Sequence, residues 1–165
     1  MIITDLDFLR KPCREASILE AGDIIQKLEE ELHNSLIGGV GLSANQIGIL
    51  KKVCIIRTPK LSLDLVNPII LEQYDLCSFG GDGCLSIPGV YITTQRYNEI
   101  FLKDIMHPNG IIAVGLEAVI IEHECDHLNN ILMIDRQIKI PKQNDKCWCG
   151  SEKKYKKCHF GKEIK

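Results

Sequence analysis

The sequence predicts an α+β fold in which antiparallel strands pack around a central metal-bearing helix, with a small C-terminal zinc knuckle. Three observations support this prediction. Residues 118–121 are apolar and lead directly into His123-Glu124-Cys125-Asp126-His127, which indicates a buried helix carrying polar side chains. Runs of β-branched residues at 53–56 and 111–114 are typical of strands. After Pro141 the apolar pattern stops and a cysteine cluster begins.

The composition indicates a small cytosolic protein. The chain has 165 residues, 45% of them hydrophobic, which is enough for one packed core and a short appendage. Its net charge of -2 gives no general reason to expect nucleic-acid or membrane binding. Residues 1–7 contain early acids and no long apolar run. We therefore expect no signal peptide, no membrane-spanning segment and a cytoplasmic location.

The cysteines are expected to be thiols or metal ligands. The chain has eight of them, and without an export signal disulfides are not expected. Four have no ligand spacing and are interpreted as structural or incidental: Cys13, Cys54, Cys77 and Cys125.

The first amphipathic helix is predicted over residues 21–37. Its apolar side chains recur at three- and four-residue intervals, and Gly38-Gly39 supplies a stop. These side chains are Ile25, Leu28, Leu32 and Leu36.

Buried strands are predicted at 53–56 and 65–71, the second broken at Asn67-Pro68. Residues 99–105 and 111–114 are expected to form a hairpin around a turn at His107-Pro108-Asn109-Gly110. In that turn, His107 is expected to face solvent rather than to bind a metal.

The segment His123-Glu124-Cys125-Asp126-His127 carries the strongest chemical signal. Two histidines at i and i+4 project from one helix face and can bind one metal ion. Glu124 can then exchange protons with a water in the remaining metal position. The alternative is an exposed, charged helix turn. The apolar residues that precede the motif favour burial, and buried histidines and acids require a partner such as a metal.

The third ligand decides which enzyme class this motif indicates. Downstream, Asn130 and Met133 occupy the positions where one zinc-protease class has glycine and histidine. The thermolysin-like glutamate would fall within 144–147, at the start of the cysteine cluster. Upstream, residues 81–88 offer Cys84 between glycine-rich and proline-bounded stretches.

Three motifs together resemble the peptide deformylase family. Gly39-Val40-Gly41-Leu42-Ser43-Ala44-Asn45-Gln46 resembles GxGLAAxQ, Gly83-Cys84-Leu85-Ser86 resembles EGCLS, and the helix motif resembles HExDH. The resemblance covers about residues 1 to 137 in the family's order and spacing. Three positions depart from the family pattern: serine replaces alanine at Ser43, aspartate replaces glutamate at Asp82, and Asn130 replaces a glycine.

The resemblance implies removal of the N-formyl group from formyl-methionine of nascent polypeptides, with release of formate. It implies Cys84, His123 and His127 as metal ligands and Glu124 as the proton-transferring residue. The Leu85 backbone N–H and the Gln46 amide are the implied oxyanion donors. The family generally works best with Fe²⁺ and accepts Zn²⁺, Ni²⁺ or Co²⁺.

Side chains around the motif are expected to select substrate and orient the ligands. Counting back along the helix from the first histidine places Leu116, Val119 and Ile120 on the metal-facing side, in a pocket for the methionine side chain; plain core packing is the alternative. Glycines at Gly39 and Gly41 would admit substrate backbone. Three charged side chains are expected behind the ligands, with a surface role as the alternative for the arginine: Asp82, Arg96 and Asp126.

The tail is predicted to be a separate zinc module, with 1–140 as the catalytic domain and 141–165 as the tail. Cys147, Cys149, Cys158 and His159 suit a closed tetrahedral zinc site that supplies the folding energy. A disordered lysine-rich tail is the alternative. The segment resembles the SEC-C motif. Its lysines predict a partner such as the ribosome, or another RNA or acidic protein surface.

Two other function classes remain open from sequence. A metalloprotease would use the helix motif but lacks a convincing downstream ligand. A non-catalytic ribosome-binding protein on the same scaffold is the second alternative, and the intact ligands, Gln46 and Glu124 argue against it.

Overall fold

The structure, a computed structural model, describes residues 1–35 and 38–164 and has a mixed α+β fold with antiparallel sheets, as predicted. The helices are α1 (Leu6–Leu9), α2 (Ile18–His33) and α3 (Leu116–Leu128). The strands are β1 (Gly41–Ser43), β2 (Val53–Arg57), β3 (Ser62–Val66), β4 (Ile69–Cys84), β5 (Ile87–Lys103), β6 (Ile111–Val114) and β7 (Glu163–Ile164). Single 3₁₀ turns span Ala44–Ile47, Met133–Arg136 and Tyr155–Lys157.

Helix α2 begins earlier and ends earlier than the sequence predicted. Ser17 and Glu20 form a capping box that starts the helix at Ile18, because each side chain satisfies a free backbone N–H of the first turn. The helix ends at His33 rather than at Ile37. The predicted positions Leu36 and Ile37 lie outside the described residues.

Two sheets form the body of the fold, and their strands pair antiparallel except where β7 joins β4. The first has the order β1-β2-β3, and the second has the order β6-β5-β4-β7. The predicted break at Asn67-Pro68 separates β3 from β4, and β5 pairs with β6 as the predicted hairpin. His107, in the connecting turn, is partly exposed and its Nδ1 lies 2.7 Å from Asp104 Oδ1.

The long β4–β5 hairpin was not predicted at its full length. Register shifts interrupt the pairing between Ile70 and Glu72, between Phe79 and Asp82, and at Gly83 and Cys84. The first two shifts each place one extra residue in β4, and this interrupts the period-two pattern that reveals a strand.

After its first two residues, helix α3 is buried on all sides, and every residue from Ala118 to Leu128 is buried. One face packs with β2, β3 and β5 in a core that includes Ile56, Leu65, Ile100 and Ile121. A second core joins α2 to the first sheet. Because α3 has no exposed face, its charged side chains must find partners inside the protein.

The tail folds against the second sheet. Tyr155 is 2% exposed and contacts Phe160 edge-on. Strand β7 pairs in parallel with β4, where Ser78 and Phe79 are opposite Glu163 and Ile164. None of the helices in 1–35 and 38–164 has both the length and the apolar character required to span a membrane.

Candidate active site

The three predicted ligands converge at one point beside α3. Cys84 ends β4 at the hairpin tip, where it pairs with Ile87 across a two-residue turn. His123 and His127 lie on α3 with ring centroids 5.1 Å apart. Cys84 Sγ is 3.2 Å from His127 Nε2, and the ligand atoms of all three residues lie within 4.8 Å of one another. One thiol and two imidazoles at these separations can surround a single ion.

Burial favours the metal-binding form of His127. Burial of the imidazole holds the pKa of His127 well below its usual range. The ring is therefore neutral near pH 7, and the neutral imidazole is the form that binds metals.

Asp82 reaches the predicted ligand His123 despite being one methylene shorter than the glutamate of the related motif. Asp82 Oδ1 is 3.0 Å from His123 Nδ1. The other oxygen accepts hydrogen bonds from Arg96 Nη2 and Thr94 Oγ1, both at 2.8 Å. Burial opposes ionisation, but hydrogen bonding with His123 and the charge of Arg96 lower the pKa of Asp82. The ionised carboxylate orients His123 so that Nε2 faces the other ligands.

Arg96 continues this network to α3. Its side chain is 1% exposed, which excludes the surface role left open from sequence. Arg96 Nη1 donates to Asp126 Oδ2 at 2.7 Å, and Arg136 Nη2 donates to Asp126 Oδ1 at 2.7 Å. Asp82, Arg96 and Asp126 thus form a continuous ion-paired chain from β4 through β5 to α3.

Glu124 is 4% exposed and lies beside the first strand. Ser43 Oγ donates to Glu124 Oε2 at 2.7 Å and also lies 3.0 Å from the Glu124 carbonyl oxygen. A Cβ built on Gly41 would lie 2.6 Å from Glu124 Oε1. Burial raises the pKa of Glu124, and the hydrogen bond from Ser43 partly opposes this. A carboxyl group with a raised pKa is suited to accept and return a proton.

Gln46 is fixed by hydrogen bonds at both ends of its amide. Its Oε1 accepts from the Ser43 backbone N–H at 2.9 Å. Its Nε2 is 3.1 Å from Ser86 Oγ and 3.5 Å from Cys84 Sγ. The NH₂ group therefore points toward the ligands and can donate a hydrogen bond there.

A cavity of about 490 Å³ opens beside the ligands. Its wall includes Leu85 and the three residues expected to select substrate. Val119 is 2% exposed and Ile120 7%, whereas Leu116, at 42%, is the most exposed of the three. The other lining residues include Gly39, Gly41, Gln46, Phe79, Tyr91, His123 and Glu124.

The two glycines leave room for the protein's own side chains. The Cβ position at Gly39 would lie 2.8 Å from Leu32 Cδ1 and 3.0 Å from Leu85 Cδ1. The corresponding position at Gly41 is occupied by Glu124. Both residues line the cavity. A side chain at either position would also crowd neighbouring side chains of the protein.

The tail brings together the four ligands predicted there. Among the described residues, Cys147, Cys149, Cys158 and His159 form a second cluster with ligand atoms within 4.8 Å of one another. His159 Nδ1 is 3.3 Å from Cys147 Sγ and 3.2 Å from Cys158 Sγ. Although burial opposes it, hydrogen bonding with Ser151 and the neighbouring thiols lowers the pKa of Cys149 to about 7. Thiolate character at neutral pH favours metal binding.

Three polar residues of the site were not predicted as such. Thr94, Ser86 and Arg136 each form a hydrogen bond with a predicted site residue. Ser86 follows Leu85 within a quoted motif and could have been found there. Thr94 and Arg136 lie on other elements and are brought in by tertiary packing, so they carry no local signal.

Comparison with known proteins places the chain in a family. The polypeptide deformylase family matches residues 2–143, and the SEC-C motif matches residues 144–161. The peptide deformylase of Prochlorococcus marinus (strain AS9601) is 38% identical over 141 residues, which cover 79% of this chain and 69% of that protein. The peptide deformylase of Aquifex aeolicus is 31% identical, covering 82% and 85%.

Solved structures show the same relationship. A peptide deformylase from Synechococcus elongatus, in complex with actinonin, is 33% identical with a TM-score of 0.74, covering 84% of this chain and 80% of that one. The Thermotoga maritima peptide deformylase is 27% identical with a TM-score of 0.71, covering 84% and 97%. With these matches, and with Gln46, Cys84, His123 and Glu124 lining one cavity, the chain belongs to the polypeptide deformylase family and carries a SEC-C motif.

Proposed function

We infer that this chain removes the N-formyl group from formyl-methionine at the N-terminus of newly made polypeptides and releases formate. One observation carries this inference. Cys84, His123 and His127 lie together at the wall of the cavity, and Cys84 and His123 line it together with Glu124 and Gln46. The reaction is the hydrolysis of an amide by water, and the cavity presents a metal-binding group, a proton carrier and a hydrogen-bond donor within one space.

We propose a divalent metal held by Cys84, His123 and His127. One sulfur and two nitrogen donors suit Fe²⁺, and also Zn²⁺, Ni²⁺ or Co²⁺. Fe²⁺ is the proposed catalytic metal, in line with the resemblance. When bound, the cation acts as a Lewis acid and lowers the pKa of a water in its open position.

Glu124 and the oxyanion donors perform the remaining steps. Glu124 accepts a proton from the attacking water and returns it to the departing amine nitrogen. Gln46 Nε2 and the Leu85 backbone N–H donate hydrogen bonds to the oxygen that becomes negative in the transition state. The hydrogen bond from the Ser43 N–H supports this role for Gln46, because it fixes the NH₂ group on the cavity side.

We propose that Leu116, Val119 and Ile120 bind the methionine side chain. The exposed Leu116 would lie at the mouth of the pocket, and the buried Val119 and Ile120 would line its interior. The main chain at Gly39 and Gly41 lines the same cavity and would contact the substrate backbone. Asp82, Arg96 and Asp126 keep the ligands in place from behind.

The tail is proposed to be a structural zinc module spanning residues 141–165, attached to a catalytic domain spanning 1–140. Three cysteines and one histidine would hold the zinc as a closed set of four protein ligands, which is typical of structural rather than catalytic sites. None of the described tail residues lines the cavity.

We propose that the tail recruits the enzyme to ribosomal RNA, where its substrate emerges. Four lysines between the ligand pairs are exposed: Lys153, Lys154, Lys156 and Lys157. Positive side chains held on one compact module suit contacts with phosphates. An acidic protein surface is the competing partner.

The two other classes fit the geometry less well. A metalloprotease would need a downstream third ligand, whereas Cys84 occupies that place from upstream. A non-catalytic scaffold would not need Glu124, Gln46 and the ligands to be assembled together.

Hydrolysis of formyl-methionyl peptides tests the proposed function directly. Glu124→Ala should bind metal and fold normally but lose about 10²-fold or more in kcat, because the proton carrier is removed. Formate release and bound metal are measured side by side. Glu117→Ala, in the first turn of the same helix, is the matched control and should retain activity. A Glu124→Ala enzyme with near-normal turnover would contradict the assignment.

Cys84→Ser should weaken metal binding more than it disturbs folding, because a hydroxyl is a poor replacement for a thiolate. Metal content after dialysis and thermal unfolding are the two measurements. Cys13→Ser, a thiol outside both clusters, should keep its metal. Stoichiometric metal and full activity in Cys84→Ser would mean that this thiol is not a ligand.

Val119→Phe should reduce the hydrolysis of formyl-methionyl peptides more than that of formyl-alanyl peptides, because the larger ring fills the space for the longer side chain. The ratio of kcat/KM for the two substrates is measured. Val114→Phe, on an exposed strand position, is the control. Equal losses on both substrates would indicate general core damage.

Truncation after Ile140 should leave hydrolysis of small formyl peptides intact and remove one zinc per chain. It should also weaken ribosome association at low salt, and that association should fall steeply as salt rises. A variant with glutamate at the four tail lysines should keep the zinc but lose the association. If truncation abolished small-peptide activity, the tail would be part of the catalytic fold.

A further inference from the structure

The side chain of Ser43 contacts the proposed proton carrier directly. Ser43 is fully buried at the end of β1, and its Oγ lies 2.7 Å from Glu124 Oε2. The family motif quoted above has alanine at this position, and alanine can make no such contact. The Ser43 hydroxyl is therefore a feature of this chain to which the family motif assigns no role.

The hydroxyl proton has two possible acceptors on the same residue. The carboxylate oxygen Oε2 is at 2.7 Å, and the Glu124 carbonyl oxygen is at 3.0 Å. A serine has a single O–H to donate, and a carboxylate is the stronger acceptor. The shorter distance and the stronger acceptor both favour the hydrogen bond to Oε2.

The other carboxylate oxygen is confined from the opposite side. Glu124 Oε1 lies so close to Gly41 that any Cβ there would be 2.6 Å away. Gly41 lines the cavity, as does Glu124. The carboxylate is thus held between a hydroxyl on one oxygen and a backbone surface on the other.

On the basis of the function proposed above, we propose that Ser43 is a positioning residue. Its hydroxyl holds Oε2 of Glu124 and so directs Oε1 into the cavity for proton transfer. Proton transfer requires the carrier within hydrogen-bond reach of the reacting group, so a fixed carboxylate orientation raises kcat. Ser43 itself does not contact the substrate.

The same residue allows this role to be isolated. The Ser43 backbone N–H, not its side chain, donates to Gln46 Oε1. Ser43→Ala therefore removes the contact with Glu124 and keeps the contact with Gln46. Because the family motif has alanine here, the backbone is expected to accept the substitution without unfolding.

Ser43→Ala should lower kcat about tenfold, the size expected for one lost hydrogen bond to a charged group. KM, bound metal and the thermal unfolding temperature should stay unchanged, and Ser43→Thr, which keeps the hydroxyl, should restore most of kcat. Ser78→Ala, another buried serine that does not line the cavity, is the matched control. A merely structural role would instead lower the unfolding temperature or the metal content.

The second test repeats Ser43→Ala in the Glu124→Ala background. If Ser43 acts through Glu124, the double variant should have the same residual kcat as Glu124→Ala alone. A further tenfold loss in that background would overturn the proposal, as would unchanged kcat in Ser43→Ala. Both outcomes differ from failure of the proposed function, in which the unaltered chain itself would release no formate.

Discussion

The buried chain of opposite charges from Asp82 through Arg96 to Asp126 is the constraint on which the site depends. Arg96 is 1% exposed, and the chain joins the hairpin strand β4, its partner β5 and helix α3. Removing one partner of such a buried pair costs about 3–5 kcal/mol, since the remaining charge is left without compensation. The strand that ends at Cys84 and the helix that carries His123 and His127 are therefore fixed relative to each other by charge as well as by apolar packing.

Much of the site could be predicted because its residues form patterns over short stretches of sequence. The i, i+4 spacing of His123 and His127 depends only on helix geometry, and α3 is a helix over that span. Cys84 stood out through its glycine-rich and proline-bounded surroundings, and the structure places its sulfur beside His127. The tail ligands were also grouped closely enough along the chain to be identified. In all these cases the signal lies within about a dozen residues.

The features that could not be predicted depend on strand register, on capping contacts and on packing between residues distant in sequence. The bulges in β4 erase the alternating pattern of a strand, so the full hairpin was missed. The capping box at Ser17 moved the start of α2 by three residues from the predicted Ala21. Gly41 was expected to admit the substrate backbone, and the structure adds a contact that was not expected: Glu124, distant in sequence, packs against it. No pattern within β1 alone could have indicated a side chain from α3.

Strand β7 also determines which backbone groups the second sheet offers to its surroundings. It pairs with one edge of β4, opposite Ser78 and Phe79. The other edge of β4 pairs with β5. An unpaired strand edge is a template for another chain. The tail therefore covers this edge of β4 at Ser78 and Phe79, in addition to bringing its cysteines and histidine together. A segment that contributes no described residue to the cavity wall thus limits the backbone edge that the sheet leaves free for pairing with another chain.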